Sequence, residues 1–139
     1  MYFIVINMND YGHWRCGIGD IPESCVGFIY KITNTVTNKK YIGKKLLKFK
    51  TSKKPLKGRV NKRRGTKESD WKSYTGSCNQ LNEDIEKIGK DKFTFEILSW
   101  CGSKSDLSYE EMKQIIISNA LYDKDYYNEY VGGRVRIRK

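Results

Sequence analysis

Gly27-Phe28-Ile29-Tyr30-Lys31-Ile32-Thr33-Asn34 and Asn38-Lys39-Lys40-Tyr41-Ile42-Gly43-Lys44-Lys45 read as the two arms of one β-hairpin. The polar connection Asn34-Thr35-Val36-Thr37-Asn38 has hairpin length, and both arms carry aromatic and β-branched residues. Side chains alternate between faces along a strand. Phe28, Tyr30 and Ile32 therefore share one face, while Tyr41 and Gly43 share another. Twist can bring the two phenols together beside a glycine that permits close approach. Two hydroxyls next to a dense run of positive charge suit a phosphate better than a hydrophobic core.

That run begins at once. From Lys39 to Lys72 there are fifteen Lys or Arg against only Glu68 and Asp70, a local net charge of +13. The rest of the chain sums to −2, so the whole excess of the +11 total sits in one segment. Charge gathered in this way is the footprint of a binder of phosphate backbones. A solvated basic loop without a partner is the alternative, and the flanking aromatics Tyr41, Phe49, Trp71 and Tyr74 weigh against it. Residues expected to contact DNA are Lys45, Arg59, Arg63, Lys67, Trp71 and Lys72. The basic end Arg134–Lys139 is either a second contact or a strand end.

At 139 residues, with 38% hydrophobic and 31% charged residues, the chain has the size and balance of one soluble domain with one core. Its longest apolar run, Tyr2–Ile6, is too short to span a bilayer and lacks the charged flank of a signal peptide. A short strand is expected there, and a cytoplasmic protein with no membrane partner. The four cysteines form no CxxC pair, so free thiols are the simpler reading. His13, Cys16 and Cys25 form an alternative zinc-binding set that needs a distant fourth ligand.

Residues 1–25 read as an N-terminal extension and 131–139 as a basic tail. The segment 46–76 lacks sustained periodicity and reads as a long functional loop with short helical pieces. A helix capped by Ser77 or Asn79 runs to about Ile88 and stops at Gly89. Phe93, Phe95, Ile97 and Trp100 suggest a third strand. A second helix, capped by Ser105 or Ser108, carries an apolar stripe of Leu107, Met112, Ile115 and Ile116. Glu111 lies four residues from both Leu107 and Ile115, on or beside that stripe. On helix geometry two readings stay open for it: an inward-facing functional carboxylate, or the reciprocal partner of Ser108 in a capping box.

The hairpin resembles the GIY-YIG nuclease family. The first motif stands here as Phe28-Ile29-Tyr30, with phenylalanine in place of glycine, and the second is intact as Tyr41-Ile42-Gly43. The block Glu68–Ser77 is similar to one found in phage members and in a small restriction-enzyme branch. The likeness continues through Asp84–Gly89, Phe93–Leu98, Leu107–Glu111 and Tyr127-Asn128, and so covers about residues 26 to 130. It implies an α/β (α+β) fold, a small three-stranded, mainly antiparallel sheet flanked by helices. The basic segment 39–72 would be its DNA-contacting part.

The resemblance also implies a metal-dependent DNA endonuclease acting on duplex DNA as a monomer or homodimer. It makes Glu111 the anchor for one magnesium or manganese ion and Tyr30 the base that activates water. Tyr41 would orient the water or the phosphate. Neighbouring Lys and Arg, together with the metal, are expected to favour the phenolate of Tyr30. The family's phosphate-contacting arginine maps onto Arg64, with Lys44 and Lys45 able to take over part of its role, and Tyr74 stands where some members use histidine. The late asparagine maps onto Asn128, whose alternative role is that of a turn residue. The rival function is a nucleic-acid-binding module that keeps the fold without the chemistry.

Overall fold

The computed structural model describes residues 10–132. Strands β1 (Arg15–Cys16), β2 (Gly27–Asn34) and β3 (Lys40–Leu46) are followed by β4 (Lys48–Lys53) and β5 (Arg63–Glu68). Helix α1 (Asn79–Ile88), strand β6 (Phe93–Cys101) and helix α2 (Lys104–Ile117) complete the order. The main sheet runs β1-β6-β2-β3. Its three long strands are antiparallel, and the two-residue β1 adds in parallel to the outer edge of β6. The expected α/β architecture is present. The expected strand at Tyr2–Ile6 and the basic end Arg134–Lys139 lie outside the described residues.

The hairpin forms over the predicted residues, but the expectation that Tyr41 and Gly43 lie on another face from Tyr30 is corrected by its register. Asn34 is buried, and its Oδ1 accepts from the backbone N–H groups of Val36 and Thr37 at 3.0 and 3.2 Å, which closes the turn. Asn38 takes the left-handed conformation at φ 63°. The register sets Tyr30 opposite Gly43 and Ile32 opposite Tyr41. Directly opposed residues point to the same side, so both tyrosines and Gly43 share one face of the sheet.

The two faces bury different clusters. Phe28, Tyr30 and Ile32 pack with Trp14, Trp71, Leu81, Phe95 and Ile97 on one side. Ile29 and Ile42 pack with Leu107, Ile115 and Ala120 on the other, which seats α2 against the sheet. Trp14 belongs to the stretch read as an extension, yet it is only 4% exposed and lies 5.0 Å from the Tyr30 ring, centroid to centroid.

Several local expectations are corrected. The segment 46–76 is not a loop with helical pieces: β4 and β5 pair into an antiparallel ribbon, and only a single 3-10 turn forms at Trp71–Ser73. Its Lys-rich strands lack an apolar face, which is why no period-2 pattern announced them. Ser103, not Ser105 or Ser108, caps α2, its Oγ accepting from the Asp106 N–H at 3.0 Å. Position 78, not Ser77 or Asn79, is the N-cap of α1, without a side-chain cap bond. Leu107 and Ile115 face inward from α2, whereas Ile116 is exposed. Trp71 is 3% exposed, a core residue rather than a DNA contact. Among the described residues no helix is long and apolar enough to cross a membrane.

Candidate active site

Strand β3 is the free edge of the main sheet, and the chain returns to it late. Lys40 bridges to Tyr126, and the Tyr127 N–H donates to the Lys40 carbonyl at 2.7 Å. Asn128 completes this edge with its side chain. Its Oδ1 accepts from the Ile42 N–H at 3.0 Å, and its Nδ2 donates to the Ile42 carbonyl at 2.8 Å. Both polar atoms of the amide are thus engaged by the backbone between Tyr41 and Gly43. Asn128 is not a turn residue; it holds the strand that carries Tyr41 and lines the cleft at this edge.

An open cleft of about 660 Å³ wraps this edge. Tyr41, Lys44, Ser77, Glu83, Glu111 and Asn128 line it. Tyr41 reaches it from one face of the sheet, while alternation sends Lys44 to the α2 side. Four of the residues singled out in the sequence therefore converge on one cavity.

Tyr30 lies just behind it, with its ring 6.2 Å from those of Tyr41 and Tyr74. The glycine opposite makes room: a Cβ on Gly43 would stand 2.4 Å from the Tyr30 hydroxyl oxygen. Gly76, at φ 87°, leaves a second gap, where a Cβ would lie 3.3 Å from the same oxygen. No hydrogen bond joins the Tyr30 hydroxyl to another described residue. Burial raises its pKa well above the ordinary phenol value, and Tyr41, Tyr74 and Glu111 push the same way. In the metal-free chain the cost of burying charge outweighs any help from nearby Lys and Arg, and the phenol form is favoured.

Tyr41 is also held protonated, chiefly by burial, and its hydroxyl approaches Ser77 Oγ at 3.5 Å. Ser77 and Gly76 belong to the block quoted from the sequence, but nothing in their spacing announced that they abut the two phenols.

Glu111 faces the cleft from the middle of α2 with its side chain 18% exposed. With Ser103 as the cap, the capping-box reading is removed. Burial raises its pKa, an effect opposed by Lys44. The Lys44 ammonium stands 4.0 Å from Glu111 Oε1 and donates to Ser108 Oγ at 3.0 Å. A half-buried carboxylate facing an open cavity and only loosely paired is a fitting oxygen donor for a hard divalent cation. Magnesium commonly keeps several waters and takes one or two carboxylates plus substrate phosphate, so a lone glutamate suffices.

The remaining residues fall elsewhere. Arg64 is on exposed β5, paired with Ser52, four residues beyond the base of the ribbon at Lys48 and Glu68. It does not line the cleft. Arg63 and Lys67 share the ribbon, and Arg59 sits at its tip. Lys45 is bound to Asp70 at 2.7 Å and lies 3.8 Å above the Tyr74 ring, while Lys72 pairs with Asp10 at 3.4 Å. Tyr74 flanks Tyr30 without lining the cleft.

His13 was considered only as a zinc ligand. Instead its Nε2 donates to the Tyr74 carbonyl at 2.9 Å, and its ring stacks on Phe95. That bond leaves Nδ1 as the unprotonated nitrogen, buried without a partner. Burial lowers the His13 pKa to about 4, so the ring stays neutral as it holds Tyr74 in place. Cys16 Sγ contacts the Gly19 carbonyl and Cys25 Sγ that of Gly27. Among the described residues no group of three His, Cys, Asp or Glu could hold a metal ion.

No curated protein and no solved structure gives a significant match. The family model described as "Putative endonuclease segE, GIY-YIG domain" matches residues 14–131. That span takes in Trp14, both tyrosine motifs, the ribbon, Glu111 and Asn128. The two tyrosine motifs paired in one hairpin, with a helical glutamate at the edge of that sheet, thus accord with a match over most of the chain, which belongs to the GIY-YIG family of endonucleases.

Proposed function

We propose that this chain is a divalent-metal-dependent DNA endonuclease whose reacting groups are Tyr30, Tyr41, Lys44 and Glu111. The observation that carries this reading is their convergence: Tyr41, Lys44 and Glu111 open onto one cleft, with the Tyr30 hydroxyl directly behind it. Nucleic-acid binding alone would need the basic ribbon but no inward-facing carboxylate beside two phenols.

Glu111 is the anchor for magnesium or manganese. When bound, that cation would neutralise the carboxylate, withdraw charge from the phosphate and assist the leaving oxygen. Lys44 neutralises a non-bridging phosphate oxygen at the cleft floor. Tyr30, after losing its own proton to solvent, accepts the proton of the attacking water as the phenolate, and Tyr41 fixes the water or phosphate through its hydroxyl. In the free chain the raised pKa of Tyr30 keeps it a phenol. Glu111 contributes to that shift, so losing the carboxylate's charge removes one obstacle to ionisation. Asn128 and His13 are positioning residues that act through Ile42 and Tyr74.

Supercoiled plasmid incubated with the chain should relax to the nicked form with magnesium and remain intact with chelator. Conversion without a divalent cation would remove the metal from the proposal, and no conversion with any cation would leave the non-catalytic binding module.

The cation at the scissile phosphate is assigned to Lys44 rather than Arg64, because only Lys44 lines the cleft. At saturating DNA, Lys44→Ala should lower kcat by about 10²-fold, in the range expected for loss of one group that stabilises transition-state charge. Arg64→Ala should instead weaken binding. A variant pair with those effects exchanged returns the role to Arg64.

A further inference from the structure

The β4–β5 ribbon leaves the domain with nothing beneath it. Eleven of its twelve strand residues are exposed, and Thr51 is the exception. An isolated two-stranded sheet is marginal in water, so a pair kept bare on both faces calls for a partner. From Lys48 to Lys67 the sequence holds ten Lys or Arg and no acidic residue. The partner is therefore a polyanion.

The ribbon's base is fixed to the catalytic strand. Only Leu47 separates β3 from β4, and it is buried in the core. The Ser69 N–H donates to the Leu47 carbonyl at 2.9 Å, and Ser69 Oγ donates to that of Leu46 at 2.6 Å. Lys45–Asp70 and the bond from Trp71 Nε1 to Glu68 Oε1 at 3.1 Å tie the returning strand to the domain. Lys44 and the first residue of the ribbon thus lie on one nearly continuous run of strand.

We propose that this ribbon enters the major groove of the duplex DNA on one side of the cleavage site. The inference rests on the endonuclease reading above for the position of the cut, but not for the binding itself. A B-form major groove about 12 Å wide admits a two-stranded ribbon as it stands, whereas a minor groove about 6 Å wide must first be widened and kinked. A-form RNA has a major groove too narrow for it. Alternation presents Lys50, Ser52, Arg64 and Thr66 on one face and Phe49, Lys53, Arg63 and Lys67 on the other. One face meets base edges while cations at the margins meet phosphates. Lys48 and Lys53 follow Lys44 by four and nine residues. Extended strand spans at most about 13 to 30 Å over those lengths, or roughly four to nine base pairs at about 3.4 Å each.

The test uses the full chain on a 40-base-pair duplex with calcium replacing magnesium. Dimethyl sulfate reads guanine N7 in the major groove and adenine N3 in the minor. Bound chain should protect N7 over several consecutive guanines. The variant with Lys50, Lys53, Arg63 and Arg64 all replaced by alanine should lose that protection and keep the wild-type Tm. Its log-log salt slope should flatten by about 3.6, so the affinity loss between 50 and 200 mM salt shrinks by about 100-fold. Wild type should prefer this duplex to RNA of the same sequence, and the variant should not. Protection confined to adenine N3, or an unchanged preference over RNA in the variant, overturns the inference. Cleavage without N7 protection sinks the ribbon alone; N7 protection without cleavage under any divalent cation sinks the nuclease reading alone.

Discussion

Glu111→Ala is expected to reduce magnesium-dependent nicking by about 10³-fold or more while leaving duplex binding intact. The anchor for a cation that stabilises transition-state charge is worth several kcal/mol, and about 1.4 kcal/mol is a factor of ten in rate. The fold should not suffer, because Ser103 caps α2 and Glu111 makes no capping bond. Stability should move in the opposite direction. Burial raises the folded-state pKa of Glu111 above its ordinary value of 4.5, so its ionisation opposes folding. The sign follows: stability is fully present below the unfolded pKa and declines as pH rises through the folded one. In chelator, Glu111→Gln should therefore match wild type in Tm at pH 4 and exceed it at pH 7. Added magnesium should raise the wild-type Tm and leave that of Glu111→Gln unmoved. Wild-type cleavage by Glu111→Ala would remove the anchor; a magnesium-insensitive wild-type Tm would place the cation elsewhere.

What the sequence made legible has a physical pattern. The hairpin was readable because Phe28, Ile29, Tyr30 and Ile32 are strand formers joined by an Asn-bounded turn. The first helix ended where Gly89, at φ 108°, had to end it. Glu111 was placed beside the buried stripe by helical spacing alone, yet its capping-box alternative fell only when Ser103 took the cap. The ribbon was hidden because both of its faces are solvated, and Lys-rich strands show no hydrophobic alternation. Trp71 was misread for a related reason: an aromatic among lysines looks like a stacking platform until its burial is known. The Asn128 clamp and the His13–Tyr74 bond join residues 86 and 61 positions apart, and no local pattern reports such pairs.

Tyr30→Phe should leave Tm and duplex affinity close to wild type and lower kcat by about 10²- to 10⁴-fold, the usual contribution of a positioned general base. The substitution removes one oxygen that has no hydrogen-bond partner among the described residues, so no buried acceptor or donor is orphaned. The ring keeps its place against Gly43 and Trp14. Tyr41→Phe should cost less, since its hydroxyl sits at the cleft wall and only approaches Ser77 at 3.5 Å. The pH profile separates a base from a merely oriented phenol. Burial and the adjoining Tyr41, Tyr74 and Glu111 hold the Tyr30 pKa well above the ordinary phenol value. A base of that kind is a minor species at neutral pH, so kcat at saturating DNA and magnesium should rise about tenfold per pH unit from pH 6 to 8. The slope should vanish with Tyr30→Phe and persist with Tyr41→Phe. A wild-type profile flat across that range, with Tyr30→Phe still slow, would make the neutral Tyr30 hydroxyl a hydrogen-bond donor to the phosphate. Equal and small losses for both variants would move the proton transfer to another group on the cleft, with Lys44 the nearest ionisable neighbour of Glu111.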